Sequence, residues 1–230
     1  GFFTAGMDPS QTEALFKDSG HSFAEVSALA DASKPVPRFD LKPRLKATVA
    51  AKRTRLTSPN LVAKLDGADP KLKSEYVVVS AHLDHLGIGA PINGKTLYNG
   101  AMDDASGVAA VLDIAHRIAA APKPRRTVLF AIFTAEEKGL LGSRYFAANP
   151  TVPKKNIVAD LNFDMPLPLW QLKMVYLPGE TESTLGADAR AVATPMGLEV
   201  VPDPNPDRNV FIRADQYSFV REGVPSLFMK

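Results

Sequence analysis

The sequence predicts an α/β protein, a three-layer α/β/α domain built around a mostly parallel mixed sheet, and three observations predict it. Strand-like and helix-like segments alternate from Val77 onward, the pattern that layers helices over a parallel sheet. The run Val128–Phe133 is apolar at successive positions, as a central strand covered on both faces must be. An ordered series of carboxylates with one histidine falls at or just past the ends of the strand-like runs, where open α/β sheets bind their ligands.

The elements follow in order. Residues 1 to about 40 differ from the rest: QTEALFKDSG predicts a short helix near 10–17, HSFAEVSALADAS another near 21–31, and KPVPRFDLKP has the three prolines of a linker. From Arg44, RLKATVAAKRTRL alternates as a strand does, followed by NLVAKLDG and YVVVSAH, with turn residues in GADPKLKSE between the last two. SGVAAVLDIAHRIAAA sets Val108, Val111, Leu112, Ala115, Ile118 and Ala119 on one helical stripe. The buried strand RRTVLFAIFTA comes next, then a helix over GLLGSRYFAAN and a strand over IVADLNFDM. ESTLGADARAVATPMG holds another helix, ended by Gly197. After the proline-rich loop VPDPNPDRN, QYSFVREG and VPSLFM provide a last helix and strand.

Composition sets bounds on function. With 230 residues the chain can bury one full core or a core plus a small appendage. A net charge of +2 does not argue for a nucleic-acid or anionic-membrane partner. The absence of cysteine excludes disulfides, thiolate nucleophiles and sulfur-ligated metals. No apolar run approaches the roughly 20 residues of a membrane span. The start GFFTAGMDPSQTE lacks both the basic end and the apolar stretch of a signal peptide. It reads as an internal start, compatible with a removed leader and with a secreted or periplasmic location.

The chemistry lies in four groups: His82-Leu83-Asp84, Asp103-Asp104, Glu136-Glu137 and Asp164. Positions i and i+2 of a strand face the same way, so Asp84 can stand beside His82 and orient its ring as a ligand. His85 faces the other way and is expected at the surface or in support of a ligand. In the loop NGAMDDASG, Asp104 or Ser106 can cap the following helix, which leaves the other aspartate free for a metal. Of Glu136 and Glu137, adjacent in the chain, one can ligate while the other faces a substrate. Each group read alone has an ordinary structural explanation, such as a hydrogen-bonded pair, a helix cap or a turn residue. Four such groups, each after a strand, seldom coincide by chance. A histidine among carboxylates suits Zn²⁺, with Mn²⁺ or Co²⁺ as weaker candidates. Ser106 lies outside any nucleophile elbow, which discounts a serine hydrolase.

HLDH, NGAMDDASG, TAEEKGLLGS and LNFDM together resemble the metal-binding motifs of the co-catalytic zinc aminopeptidases. That family also contains glutamate carboxypeptidase II, the glutaminyl cyclases and the non-enzymatic transferrin receptor. The resemblance covers roughly residues 44–230 and implies an exopeptidase that acts on peptides with a free N-terminus. A same-fold carboxypeptidase, a glutaminyl cyclase and a non-catalytic receptor or scaffold domain are the alternatives. By motif position it implies that His82, Asp103 and Asp164 hold one zinc, that Asp103 bridges to a second held with Glu137, that Glu136 is the general base, and that Asp84 supports His82. A cis peptide between Asp103 and Asp104 is expected on the same ground.

The resemblance further implies that residues 1–43 are the tail of an inserted protease-associated domain plus a linker, and 44–230 a catalytic domain incomplete at its C-terminus. The family's fifth ligand is a histidine well after a segment like RADQYSFVREGVPSLF. Neither His21 nor His116 matches it, so the second ion is expected to be weakly held. Gln216, where many relatives carry a histidine, reads as a subfamily difference and not as a lost ligand.

Overall fold

The computed structural model describes residues 6–44, 46–166 and 169–230. The chain forms two compact units, Gly1–Arg55 and Leu56–Lys230. In the first, α1 (Pro9–Thr12) runs into a 3-10 turn at Glu13–Phe16, and α2 spans Phe23–Asp31. Both starts are capped: Asp8 accepts the N–H of Ser10, and Ser22 accepts that of Glu25. The strand expected over 44–56 is not formed among its described residues, and residues 46–60 carry no regular structure. Alternation needs a partner edge and a face to bury. Here Val49 is 72% and Leu56 87% exposed.

The second unit begins with β1 (Leu61–Leu65) and β2 (Tyr76–His82), then a hairpin of β3 (Gly87–Ile92) and β4 (Lys95–Tyr98). After α3 (Ser106–Ala120) come β5 (Thr127–Phe133), α4 (Leu141–Ala148), β6 (Ile157–Phe163) and β7 (Met174–Tyr176). The chain continues through α5 (Leu185–Ala193), β8 (Glu199–Val201), α6 (Gln216–Val220) and β9 (Ser226–Met229). The main sheet has the order β1-β5-β2-β6-β9. Only β1 is antiparallel to its neighbour; β2, β5, β6 and β9 run parallel. The expected mixed, mostly parallel sheet is therefore present, with β5 buried at every residue and flanked on both sides.

Successive residues of β2 supply opposite faces of this sheet. Val79 and Ala81, with Val128, Phe130 and Ile132 of β5, pack against Val108, Val111, Ile114, Ala115 and Ile118 of α3. Val78, Leu129, Ala131 and Phe133 point the other way, onto Phe146 and Ala147 of α4 and Phe219 of α6. These two cores make the three layers. The α3 stripe is rotated slightly from the expected one, since Ile114 lies on it and Leu112 is 62% exposed. Among the described residues no helix is long and apolar enough to cross a membrane.

Phe133, Phe146 and Phe219 meet as an aromatic trio with centroids 5.6–6.1 Å apart, and Phe219 is fully buried. Phe219→Ala is expected to lower the unfolding free energy by about 3–5 kcal/mol. Urea denaturation measures it, and a loss below about 1 kcal/mol would show that α6 is not part of the core.

Candidate metal centre

The parallel strands deliver their ends to one edge of the sheet. His82 is the last residue of β2 and sits in register with Phe133, the last of β5. Glu136 follows β5 by three residues, and Asp164 follows β6 directly. The loop before α3 brings Asp103 and Asp104 to the same edge, and the peptide between them is cis, as expected.

Asp104 holds this edge together. Its carboxylate accepts the N–H of His82 at 3.2 Å, of Gly107 at 3.0 Å and of Met165 at 3.0 Å. One buried side chain thus ties the end of β2, the first turn of α3 and the segment after β6. Gly107 permits the close approach: a Cβ there would stand 2.3 Å from the Phe163 carbonyl and 2.4 Å from the Asp104 carboxylate. Burial pushes the Asp104 carboxyl up to about 7, against the lowering pull of the Met165 N–H. Ser106 is not the cap; its hydroxyl donates to the Met102 carbonyl.

Asp103 points into the site. Its Oδ1 lies 3.0 Å from His82 Nε2 and its Oδ2 3.8 Å from His85 Nδ1. Asp164 Oδ2 is 3.9 Å from the same His82 nitrogen. Ligand atoms of His82, Asp104 and Asp164 also lie within 4.8 Å of one another. Both Asp104 oxygens already accept backbone donors, however, so Asp103 is the aspartate free to ligate. His82 Nδ1 is 2.8 Å from the Asp84 carbonyl; donating there leaves Nε2 as a lone pair facing the carboxylates.

Two expectations change here. The Asp84 carboxylate does not orient His82, whose Nδ1 is 3.9 Å away. It accepts the N–H of Glu136 at 2.9 Å and of Glu137 at 3.3 Å, anchoring the loop that carries both glutamates. His85 does not face away: its Nδ1 stands 2.8 Å from Glu137 Oε1 and joins Asp103 and Glu137 in a second cluster. The cause is the same for both. β2 ends at His82, so strand alternation no longer governs residues 84 and 85.

The electrostatics follow from crowding. Burial alone would push the His82 imidazole down, but Asp104, Asp164, Glu136 and Asp215 outweigh it and raise it to about 9. Glu136 is pushed up to about 8, mainly by burial, and Asp164 is raised by burial too. Asp215, not singled out from the sequence, is fully buried, and burial raises it to about 7 against the lowering pull of Ser143. Its only sequence signal was an acid ahead of an apolar helix, which reads as a cap. Gln216 is tied at both ends: its Oε1 accepts from Asn162, and its Nε2 donates to the Phe211 carbonyl.

A metal fits what these residues leave unsatisfied. Among the described residues, His82 Nε2, His85 Nδ1, Glu137 Oε1 and Asp164 Oδ1 are buried without a hydrogen-bond partner. Buried polar atoms are rarely left so. The approaches at 3.0 and 2.8 Å therefore lack hydrogen-bond alignment, and a shared cation would satisfy the atoms they leave over. Imidazole with carboxylates is a zinc donor set. Asp103, Glu136, Glu137 and Asp164 line a cavity of about 170 Å³ whose other walls include Arg208, Arg213 and Phe228.

Residues 60–230 match the profile of peptidase family M28. The chain belongs to that family. It is 38% identical over 105 residues to a probable zinc metalloprotease of Pyrenophora tritici-repentis, an alignment covering 46% of this chain and 23% of that protein. A probable lipoprotein aminopeptidase of Mycobacterium tuberculosis is 36% identical over 131 residues, covering 56% and 23% respectively. The chain thus spans about a quarter of the length of the curated relatives it matches. A solved zinc aminopeptidase from Bacillus subtilis shares the fold at a TM-score of 0.58 and 22% identity, over 74% of this chain and 39% of that one.

Asp104→Ala tests the tie. It strands three N–H groups, so the unfolding free energy should fall by at least about 3 kcal/mol. Chemical denaturation of the metal-free protein measures this, and a fall below about 1 kcal/mol would mean the loop is held by other contacts.

Proposed function

We propose that this chain carries the active site of a zinc-dependent aminopeptidase, which removes the N-terminal residue from peptides with a free amine. The observation that carries the reading is the set of buried, unpartnered ligand atoms facing one another at the ends of three parallel strands. In this reading His82, Asp103 and Asp164 hold one zinc, and Asp103 bridges to a second held with Glu137. Membership of the peptidase family and the names of the matched relatives support it. Four orphaned ligand atoms weigh against a non-catalytic scaffold, which has no need to keep them.

Held by these residues, zinc would supply Lewis-acid chemistry, a lowered pKa for a water and polarisation of the scissile carbonyl. The rest of the chemistry belongs to the side chains. Glu136, held by its backbone N–H on the Asp84 carboxylate, takes the proton of the attacking water and hands it to the leaving amine. Without a cation, burial raises the Glu136 carboxyl to about 8; a cation held beside it would favour the charged form and lower that value, as a proton acceptor requires. Asp84 acts as a positioning residue for Glu136 and Glu137, and the Asp84 carbonyl sets the His82 tautomer.

Residues 1–43 are, in the same reading, the tail of a protease-associated domain with a linker, and 44–230 the catalytic domain. The linker prolines support a boundary there; the compact units divide later, between Arg55 and Leu56, and the family profile begins at residue 60. A secreted or periplasmic location belongs to the proposal as well, in keeping with the lipoprotein name of the Mycobacterium tuberculosis relative.

Glu136→Gln tests the mechanism. The variant should keep its zinc by elemental analysis and lose about 10²–10⁴ of its turnover on an aminoacyl-nitroanilide. Near-normal turnover would remove Glu136 from the mechanism. Equal cleavage of free and N-acetylated substrates would remove the exopeptidase reading.

A further inference from the structure

We propose that Arg208 and Arg213 form a carboxylate-binding wall of the site, so that the preferred substrate is a peptide with a carboxylate next to its scissile bond; this rests on the zinc-peptidase reading above. Both arginines line the cavity of about 170 Å³ that Asp103, Glu136, Glu137 and Asp164 also line. Elsewhere in the fold, Arg126 pairs with Glu75 and Arg190 with Glu180. Among the described residues, Arg208 and Arg213 pair with no carboxylate, although four border the same cavity. Positive and negative side chains thus occupy separate walls. Ions held by the carboxylates would take up the negative charge, which leaves the guanidinium groups for whatever enters. A planar guanidinium fork matches a carboxylate because it can donate two parallel N–H bonds to the two oxygens.

An exposed arginine is ordinarily no more than a solvated side chain. What sets these two apart is the stiffness of the loop that carries them. Pro202, Pro204 and Pro206 restrict its backbone. Arg208 ends a 3-10 turn, Pro206–Arg208, and Arg213 follows a second, Val210–Ile212. The Asn209 N–H closes the first on the Pro206 carbonyl at 3.0 Å, and the Arg213 N–H closes the second on the Val210 carbonyl at 3.1 Å. Asn209 joins the turns in the left-handed region at φ 49°, which asparagine tolerates better than most residues. Phe211 is the anchor. Its carbonyl accepts the Gln216 amide at 2.6 Å, and Gln216 in turn accepts from Asn162 of β6 at 3.2 Å. The Phe211 ring lies over Gly179, where at φ +91° a Cβ would stand 2.5 Å from ring carbon Cε2. The loop is therefore tied to the strand that delivers Asp164, and Gln216 acts as its positioning residue. Donors held in place this way lose less freedom when a ligand binds.

The test compares matched substrates on the zinc-loaded protein. Glutamyl- and glutaminyl-nitroanilide differ by a side-chain charge, and Leu-Gly and its C-terminal amide differ by an α-carboxylate. In at least one pair the carboxylate form should have a kcat/KM at least about tenfold higher, carried by KM. The pair that discriminates identifies which carboxylate the arginines take. The double variant Arg208→Gln, Arg213→Gln should bring that ratio close to one. Arg208→Lys with Arg213→Lys should keep part of it, because the charge remains while the fork is lost. Each ratio is read within one protein preparation, so a loss of folded protein does not imitate the effect. Ratios within about threefold in both pairs, the scale of a solvated surface pair, overturn the proposal and leave the aminopeptidase reading standing. A preference that survives in the glutamine double variant overturns it likewise. Failure to cleave any of the four substrates overturns the aminopeptidase reading, and this proposal with it.

Discussion

The arrangement of the site depends on one buried carboxylate. Asp104 accepts N–H groups from His82, Gly107 and Met165, and these lie at the ends of three elements far apart in sequence. Remove it and the strands still pair, because their ladders and two apolar cores are independent of it. What is lost is the fixed relation between β2, α3 and the chain after β6, and with it the position of Asp103 one residue away. A charged acceptor for backbone donors makes a stronger bond than a neutral one. Burial works against that charge, raising the group toward neutrality. The cost is of the kind found where geometry matters more than stability.

Electrostatic crowding extends through the whole edge of the sheet. Asp104, Glu136, Asp164 and Asp215 all sit above the ordinary carboxylate range, with burial as the largest cause at each. His82 moves to about 9 because these groups surround it. A protein without a ligand to bind would gain by replacing some of them with apolar residues of similar volume. Cations held among them would supply the missing positive charge, and the unpartnered atoms would serve as their ligands. Backbone strain gathers at the same edge: Ala135 and Met165, next to Glu136 and Asp164, are non-glycine residues at φ 56° and 58°.

Much of this was legible in the sequence, for physical reasons. A strand buried on both faces must be apolar throughout, so Val128–Phe133 announced the centre of the sheet. Parallel strands must end on one edge, so His82, Glu136-Glu137 and Asp164 could be assembled without coordinates. The failures came where periodicity stops. His85 and the Asp84 carboxylate were misplaced because alternation was extended past the end of β2. The strand expected from Arg44 failed because a pattern in sequence does not provide a neighbouring strand. The β3–β4 hairpin passed unread although its signal was present: Asn93 and Gly94 both take positive φ, 50° and 78°, as a tight hairpin turn requires. Asp215 showed in the sequence only as an acid ahead of a helix, since its burial is set by packing from distant segments.

Asp103 joins the loop to the chemistry through both of its oxygens. Oδ1 approaches the nitrogen of one histidine and Oδ2 the nitrogen of the other. A carboxylate used this way divides the cluster into two donor sets, and neither set can shift without the other. The first histidine ends a strand in the core of the sheet. The second lies only three residues later, on a loop pinned to the glutamate pair by the Asp84 carboxylate. Rigid core and pinned loop therefore meet at a single side chain, whose position is set in turn by the neighbouring carboxylate of Asp104. That dependence gives the two adjacent aspartates separate tasks: one faces the backbone, and the other is left to face the two histidines.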